Sequence, residues 1–125
     1  MKKIIQTSQA PQAIGPYSQA TEKDGHLFIS GQVPVDPEAG RIVEAGIKEQ
    51  TEQVMKNIGA ILKEAGYRYS DIVKCTCLLS DMDNFAAMNE VYARYFPENP
   101  PARAAFGVVK LPLGALVEIE CIAMK

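Results

Sequence analysis

The 125-residue chain has no tryptophan, one histidine and three cysteines, and its charges nearly cancel, with 13 Lys and Arg against 15 Asp and Glu. Each shortage excludes something. With a single histidine, a Ser-His-Asp arrangement would have to use His26, which directly follows an Asp24-Gly25 turn signal. A solvated hairpin residue is expected there. Three cysteines cannot close a complete disulfide framework and predict reduced thiols. Cys75 and Cys77 are two apart in a strand-like apolar run. They share one face, too closely spaced for a usual zinc pair, and read as small core residues. A net charge of -2 gives a phosphate backbone nothing to attract, so nucleic acid is not a favoured partner. No apolar run is long enough to span a membrane. After Met1-Lys2-Lys3 only Ile4-Ile5 is apolar before Gln6-Thr7-Ser8-Gln9, too short for a secretory signal, so the expected location is cytoplasmic. There is no GxGxxG segment after a strand, no P-loop and no nucleophile elbow.

What is present is ordinary globular composition, 47% hydrophobic and 22% charged, and a length that suits one domain over residues 1–125. No internal repeat or linker interrupts it. Lys3 to Thr7 predicts a short strand. The Pro11 to Pro16 stretch predicts an irregular loop. Asp24-Gly25 predicts a hairpin whose second arm is His26 to Gln32, and Pro34 to Gly40 reads as a polar loop. Val54, Ile58, Ile61, Leu62 and Ala65 recur at helical spacing and predict a helix over Ile47 to Ala65, with Gly66 as its left-handed terminator. Ile72 to Leu79 reads as a strand. Asp81 or Asp83 is placed to cap a second helix, whose stripe of Phe85, Met88, Val91, Tyr92 and Tyr95 reads as core. Strands follow at Ala102 to Lys110 and Leu116 to Met124. The order β-β-β-α-β-α-β-β predicts a two-layer α+β fold with helices on one face of a sheet. The strands are more apolar than two helices need, which predicts that other subunits bury the second sheet face.

Candidate chemistry falls on polar residues in apolar surroundings. Arg103 follows Pro100-Pro101 and sits among Ala102, Ala104 and Ala105. These small neighbours leave room for a cleft around a guanidinium that binds an anion; a structural ion pair with Glu118 or Glu120 is the alternative. Glu118 and Glu120 share one face of the last strand. Gly31, between Ser30 and Gln32, would let a ligand approach the backbone, and Tyr17 follows the fixed Gly15-Pro16 turn.

Six blocks carry a resemblance to a known family. They are Ala13-Ile14-Gly15-Pro16-Tyr17-Ser18-Gln19-Ala20, Ser30-Gly31-Gln32-Val33-Pro34, Asp71-Ile72-Val73-Lys74, Met88-Asn89-Glu90-Val91-Tyr92, Pro101-Ala102-Arg103 and Val117-Glu118-Ile119-Glu120-Cys121-Ile122-Ala123. In this order the chain resembles the RidA/YjgF family of reactive-intermediate deaminases over nearly its whole length. The resemblance implies a chorismate-mutase-like fold and a homotrimer, sheets inward, with clefts between subunits. It implies hydrolysis of 2-imino acids or their enamine tautomers to 2-keto acids and ammonia, without metal or cofactor. Carried over residue by residue, it implies Arg103 as carboxylate clamp, Glu118 beside the attacking water, and Tyr17 and Ser30 lining the cleft. Gly31 and Ala105 would contact ligand through their backbone, and Asn89 would lend a polar contact. Many relatives carry cysteine where this chain has Ala105, so a thiol nucleophile is excluded there. A regulatory keto-acid-binding module, or an endoribonuclease or translation inhibitor, are the alternative functions.

Overall fold

In the computed structural model, which describes residues 1–125, Lys3–Ile5 (β1) pairs antiparallel with Ala20–Lys23 (β2), which pairs with His26–Gln32 (β3). Asp24 and Gly25 both take positive φ, 51° and 78°, the two-residue turn whose twist suits a tight hairpin. His26 is exposed and its Nδ1 lies 2.9 Å from the Asp24 carbonyl, a hairpin residue as expected. β1 stops at Ile5, short of Thr7, because the Thr7 N–H turns away to donate to the Gln19 side chain at 2.7 Å. The buried Gln19 carboxamide also donates to the carbonyls of Thr7 and Pro11. It pins the irregular loop that leads to Tyr17.

The stretch read as a polar loop holds a small hairpin of Val35–Asp36 (β4) and Arg41–Ile42 (β5). Two-residue strands leave no period for a pattern to show. Asn57, buried on the following helix, ties this hairpin down by donating to the carbonyls of Val33 and Val35. That helix, Ile47–Ala65 (α1), ends at Gly66 with φ 82°, and the N–H groups of Gly66 and Tyr67 close onto the Lys63 and Leu62 carbonyls, as the αL terminator requires. Its Val54, Ile58, Ile61 and Leu62 are fully buried.

Ile72–Leu79 (β6) follows as expected. Asp81, not Asp83, caps the next turn, its carboxylate accepting from the Asp83 N–H at 2.9 Å. Phe85–Ala93 (α2) then packs on α1. Ala102–Gly107 (β7) runs parallel to β6. It ends three residues before the expected Lys110 because β6 ends at Leu79, whose carbonyl takes the last bond from the Val108 N–H. Val117–Met124 (β8) completes a six-stranded sheet of order β1-β2-β3-β8-β6-β7.

Both helices cover one face of this sheet. Leu27, Ile29, Cys75, Cys77, Leu79, Val117, Ile119 and Cys121 point into that layer and join one core with Val54, Ile58 and Met88. The three cysteines are free and buried, as core residues. The opposite face has no cover within the chain. Ile4, Phe28, Val73 and Phe106 stand 41–51% exposed, in strands that alternate one buried and one open residue. No helix is long and apolar enough to cross a membrane.

Candidate active site

Strand pairing fixes which face each candidate occupies. Arg103 lies opposite Cys75, and Cys75 lies opposite Cys121. Directly paired residues point the same way, so Arg103 is on the helix side. Glu118 lies opposite Leu78, between the buried Val117 and Ile119, so it is on the open side. The two groups expected to act together are therefore on opposite faces of one sheet. The same parity excludes, within one chain, the ion pair of Arg103 with Glu118 or Glu120. The only salt bridges within 4 Å are Lys48 to Glu90 and Glu90 to Arg94.

Around Arg103, helix α2 supplies the surroundings. The Arg103 Nη1 donates to Asn89 Oδ1 at 2.6 Å. Its Cζ lies 5.4 Å from the centre of the Phe85 ring and 4.9 Å from that of Tyr92, within cation–π range. A cavity of about 410 Å³ opens beside the guanidinium, walled by Tyr92, Phe96, Pro100 and Pro101. The double proline thus borders the cleft, whereas the neighbouring Ala102, Ala104 and Ala105 do not line it. Asn89 touches Arg103 first. The stripe of α2 read as core is core through Met88, Val91 and Tyr92, but Phe85 and Tyr92 also face the guanidinium. Sequence reasoning missed that second use. The signal lay in the spacing of Phe85, Asn89 and Tyr92, at i, i+4 and i+7 on one helix face.

Around Glu118, strand β3 is adapted to it. Ile29 pairs with Cys121 and Gln32 with Ile119, so three steps on β3 match two on β8 and a bulge forms at Ser30 and Gly31. A Cβ on Gly31 would clash with the Glu118 carboxylate. The room that glycine leaves is taken by this carboxylate. Burial first, and then repulsion from Glu120, hold the Glu118 carboxyl above its ordinary pKa. Ser30 Oγ donates to the Ser18 carbonyl at 2.6 Å, which spends its proton and leaves it an acceptor. Ser18 adjoins Tyr17, which is 52% exposed and whose ring packs beside Gly15. Ser30, Gly31, Glu118 and Glu120 thus form one cluster, with Tyr17 at the end of the loop that Ser30 anchors. Ala105 is half-buried on the helix side with Arg103. No three His, Cys, Asp or Glu side chains gather as metal ligands.

This architecture defines a class. A Rid-family protein of Yersinia pestis superposes with a TM-score of 0.97 at 48% identity, covering 100% of both chains. Escherichia coli TdcF, solved with bound serine, superposes at 0.94 with 40% identity over 98% of each chain. The family model described as Endoribonuclease L-PSP matches residues 7–125. The mouse 2-iminobutanoate/2-iminopropanoate deaminase is 50% identical over 100% of this chain and 93% of its own length. The chain belongs to the RidA/YjgF family.

Proposed function

We propose that the protein hydrolyses 2-imino acids, or their enamine tautomers, to 2-keto acids and ammonia, and so removes reactive intermediates released by other enzymes. The observation that carries this reading is the pair of half-sites on opposite sheet faces. One is a guanidinium with no acid partner. The other is a carboxyl beside a glycine bulge, its pKa raised by burial and by Glu120. The names of relatives such as the mouse deaminase support the same chemistry.

The two halves meet when copies of the chain pack open face to open face as a homotrimer, sheets inward, with Glu118 of one copy near Arg103 of the next. Burial of Phe28, Phe106 and Ile4 would drive that packing. Arg103 grips the substrate carboxylate with paired hydrogen bonds. Glu118, as carboxylate, takes a proton from water while the water oxygen bonds to the imine carbon and the C=N electron pair moves to nitrogen. Glu118 then returns the proton to that nitrogen, giving a carbinolamine. It next takes the hydroxyl proton and passes it to the amine nitrogen. As the oxygen electron pair forms the C=O bond the C–N bond breaks, so that ammonia leaves and the keto acid remains. Tyr17 and Ser30 line the cleft, with Ser30 accepting from water, and the backbone groups of Gly31 and Ala105 border the ligand. No metal, cofactor or thiol is needed, since an imine in water is already electrophilic. Three reduced thiols suit a cytoplasmic location.

The test is to generate 2-aminocrotonate with a threonine dehydratase and follow keto-acid formation. Arg103→Ala is expected to lower kcat/KM about 10- to 100-fold, the loss of a charge-assisted bidentate contact. An unchanged rate would remove the clamp. The bound serine of TdcF favours one second reading, a sensor of amino- or keto-acid carboxylates. Binding of 2-oxobutanoate with no rate enhancement would select it. The name of the matching family model keeps ribonuclease activity as a third outcome, against which the net charge of -2 argues.

A further inference from the structure

The surroundings of Arg103 are more elaborate than a surface arginine needs. It lies on the edge strand β7, is exposed and has alanines on both sides, so nothing on its own strand holds its long side chain. Everything that holds it comes from α2: the Phe85 ring, the Asn89 carboxamide oxygen and the Tyr92 ring.

We propose that Phe85, Asn89 and Tyr92 are positioning residues that fix the Arg103 guanidinium in one place and one plane before the substrate carboxylate arrives. The proposal rests on the clamp reading given above. Arginine loses much rotamer freedom when a ligand immobilises it, and a side chain already ordered in the free protein spares the ligand that cost. The chemistry of each partner fits this role. Aromatic faces attract the cation without neutralising it. Asn89 accepts a single hydrogen bond at Nη1, which leaves four of the five guanidinium N–H donors unengaged within the chain, enough for a two-point grip. An aspartate at position 89 would hold the arginine as firmly but would neutralise it and compete with the substrate carboxylate. At Tyr92 the ring is the working part. The hydroxyl is buried near the Cys75 thiol, and burial first, then that thiol, keep it far from ionising.

The experiment measures steady-state imine hydrolysis and, separately, calorimetric binding of 2-oxobutanoate. It uses the full-length protein with Phe85→Leu, Asn89→Asp, Tyr92→Leu and Tyr92→Phe. Phe85→Leu is expected to raise KM and the keto-acid Kd together by about two- to fivefold, with kcat changed less. Asn89→Asp is expected to raise both by about tenfold or more, because a competing carboxylate now sits on the guanidinium. Tyr92→Phe is expected to recover the KM that Tyr92→Leu loses. A merely structural role would lower the active fraction, and with it kcat, while leaving KM alone. Wild-type KM and Kd in folded Phe85→Leu and Asn89→Asp would overturn the proposal, as would a wild-type protein that binds no keto acid. If the wild type binds 2-oxobutanoate without hydrolysing imines and the variants still weaken that binding, the positioning proposal stands and the deaminase reading falls.

Discussion

The two faces of the six-stranded sheet are built from the same strands by the same alternation, yet they are finished differently. On the helix side, Leu27, Cys77, Val117 and Ile119 are wholly buried by α1 and α2. On the other side, Phe28, one step along β3 from Leu27, and Ile4, one step along β1 from the buried Ile5, remain about half exposed. Each face also carries half of the candidate chemistry. The guanidinium of Arg103 is on the covered side and the carboxyl of Glu118 on the open side. The chain completes its core alone, while on the proposed reading its site is completed only by a second copy. An open apolar face beside the Glu118 carboxyl is what the proposed packing of copies would cover.

The comparison can be broken by mutation, and the largest effect should come from the core. Ile58→Ala, on the covered side, should cost about 2–5 kcal/mol of unfolding free energy, read by urea denaturation. Phe28→Asp, on the open side, should instead convert trimer to monomer by light scattering and take activity with it. If Phe28→Asp leaves both the assembly and the activity intact, the open face is not the interface.

Gly31→Ala should come next. Its new Cβ would occupy the position of the Glu118 carboxylate. Displacing a catalytic group by an ångström costs about 100-fold in kcat, whereas the fold around a strand bulge can relax. An unchanged kcat would show that Glu118 acts elsewhere than over Gly31.

How much of this was legible in the sequence depends on what each feature rests on. Helix α1, the Asp24-Gly25 hairpin and β8 were legible because long periods and positive-φ turn residues are local properties. The β4–β5 hairpin was not, since two-residue strands carry no period. The end of β7 was not, since it depends on where its partner β6 stops. Arg103 and Glu118 were legible as candidates because a charge in an apolar run is conspicuous. Their separation onto opposite faces was not, since it needs the register of β7 on β6 and of β6 on β8. Phe85 and Tyr92 were read as core because a ring that packs inward and a ring that beds a guanidinium obey the same helical spacing.

The smallest effect sharpens the electrostatic half of the comparison. Glu120 repels Glu118 and adds to the burial that raises its pKa. Glu120→Gln should therefore bring the Glu118 carboxyl down toward its ordinary value. The acid limb of kcat, where Glu118 loses its carboxylate form, should move to lower pH. The sign for stability follows. A raised folded-state pKa means that the native state holds the proton more tightly than the unfolded chain, so stability falls as pH rises through the window between the ordinary and the folded value. Glu120→Gln should narrow that window, and thermal melts across it should show a shallower fall. An acid limb that does not move would remove Glu120 from the account.

The central claim is that one site takes Arg103 from one copy and Glu118 from another, and mixing two inactive variants tests it most directly. Arg103→Ala and Glu118→Gln, unfolded together in equal amounts and refolded as mixed trimers, should recover about a quarter of the wild-type imine-hydrolysis rate, because about three quarters of the trimers are mixed and each has one intact site of three. No recovery above the rates of the separate variants, with mixed trimers demonstrated by mass spectrometry, would contradict it.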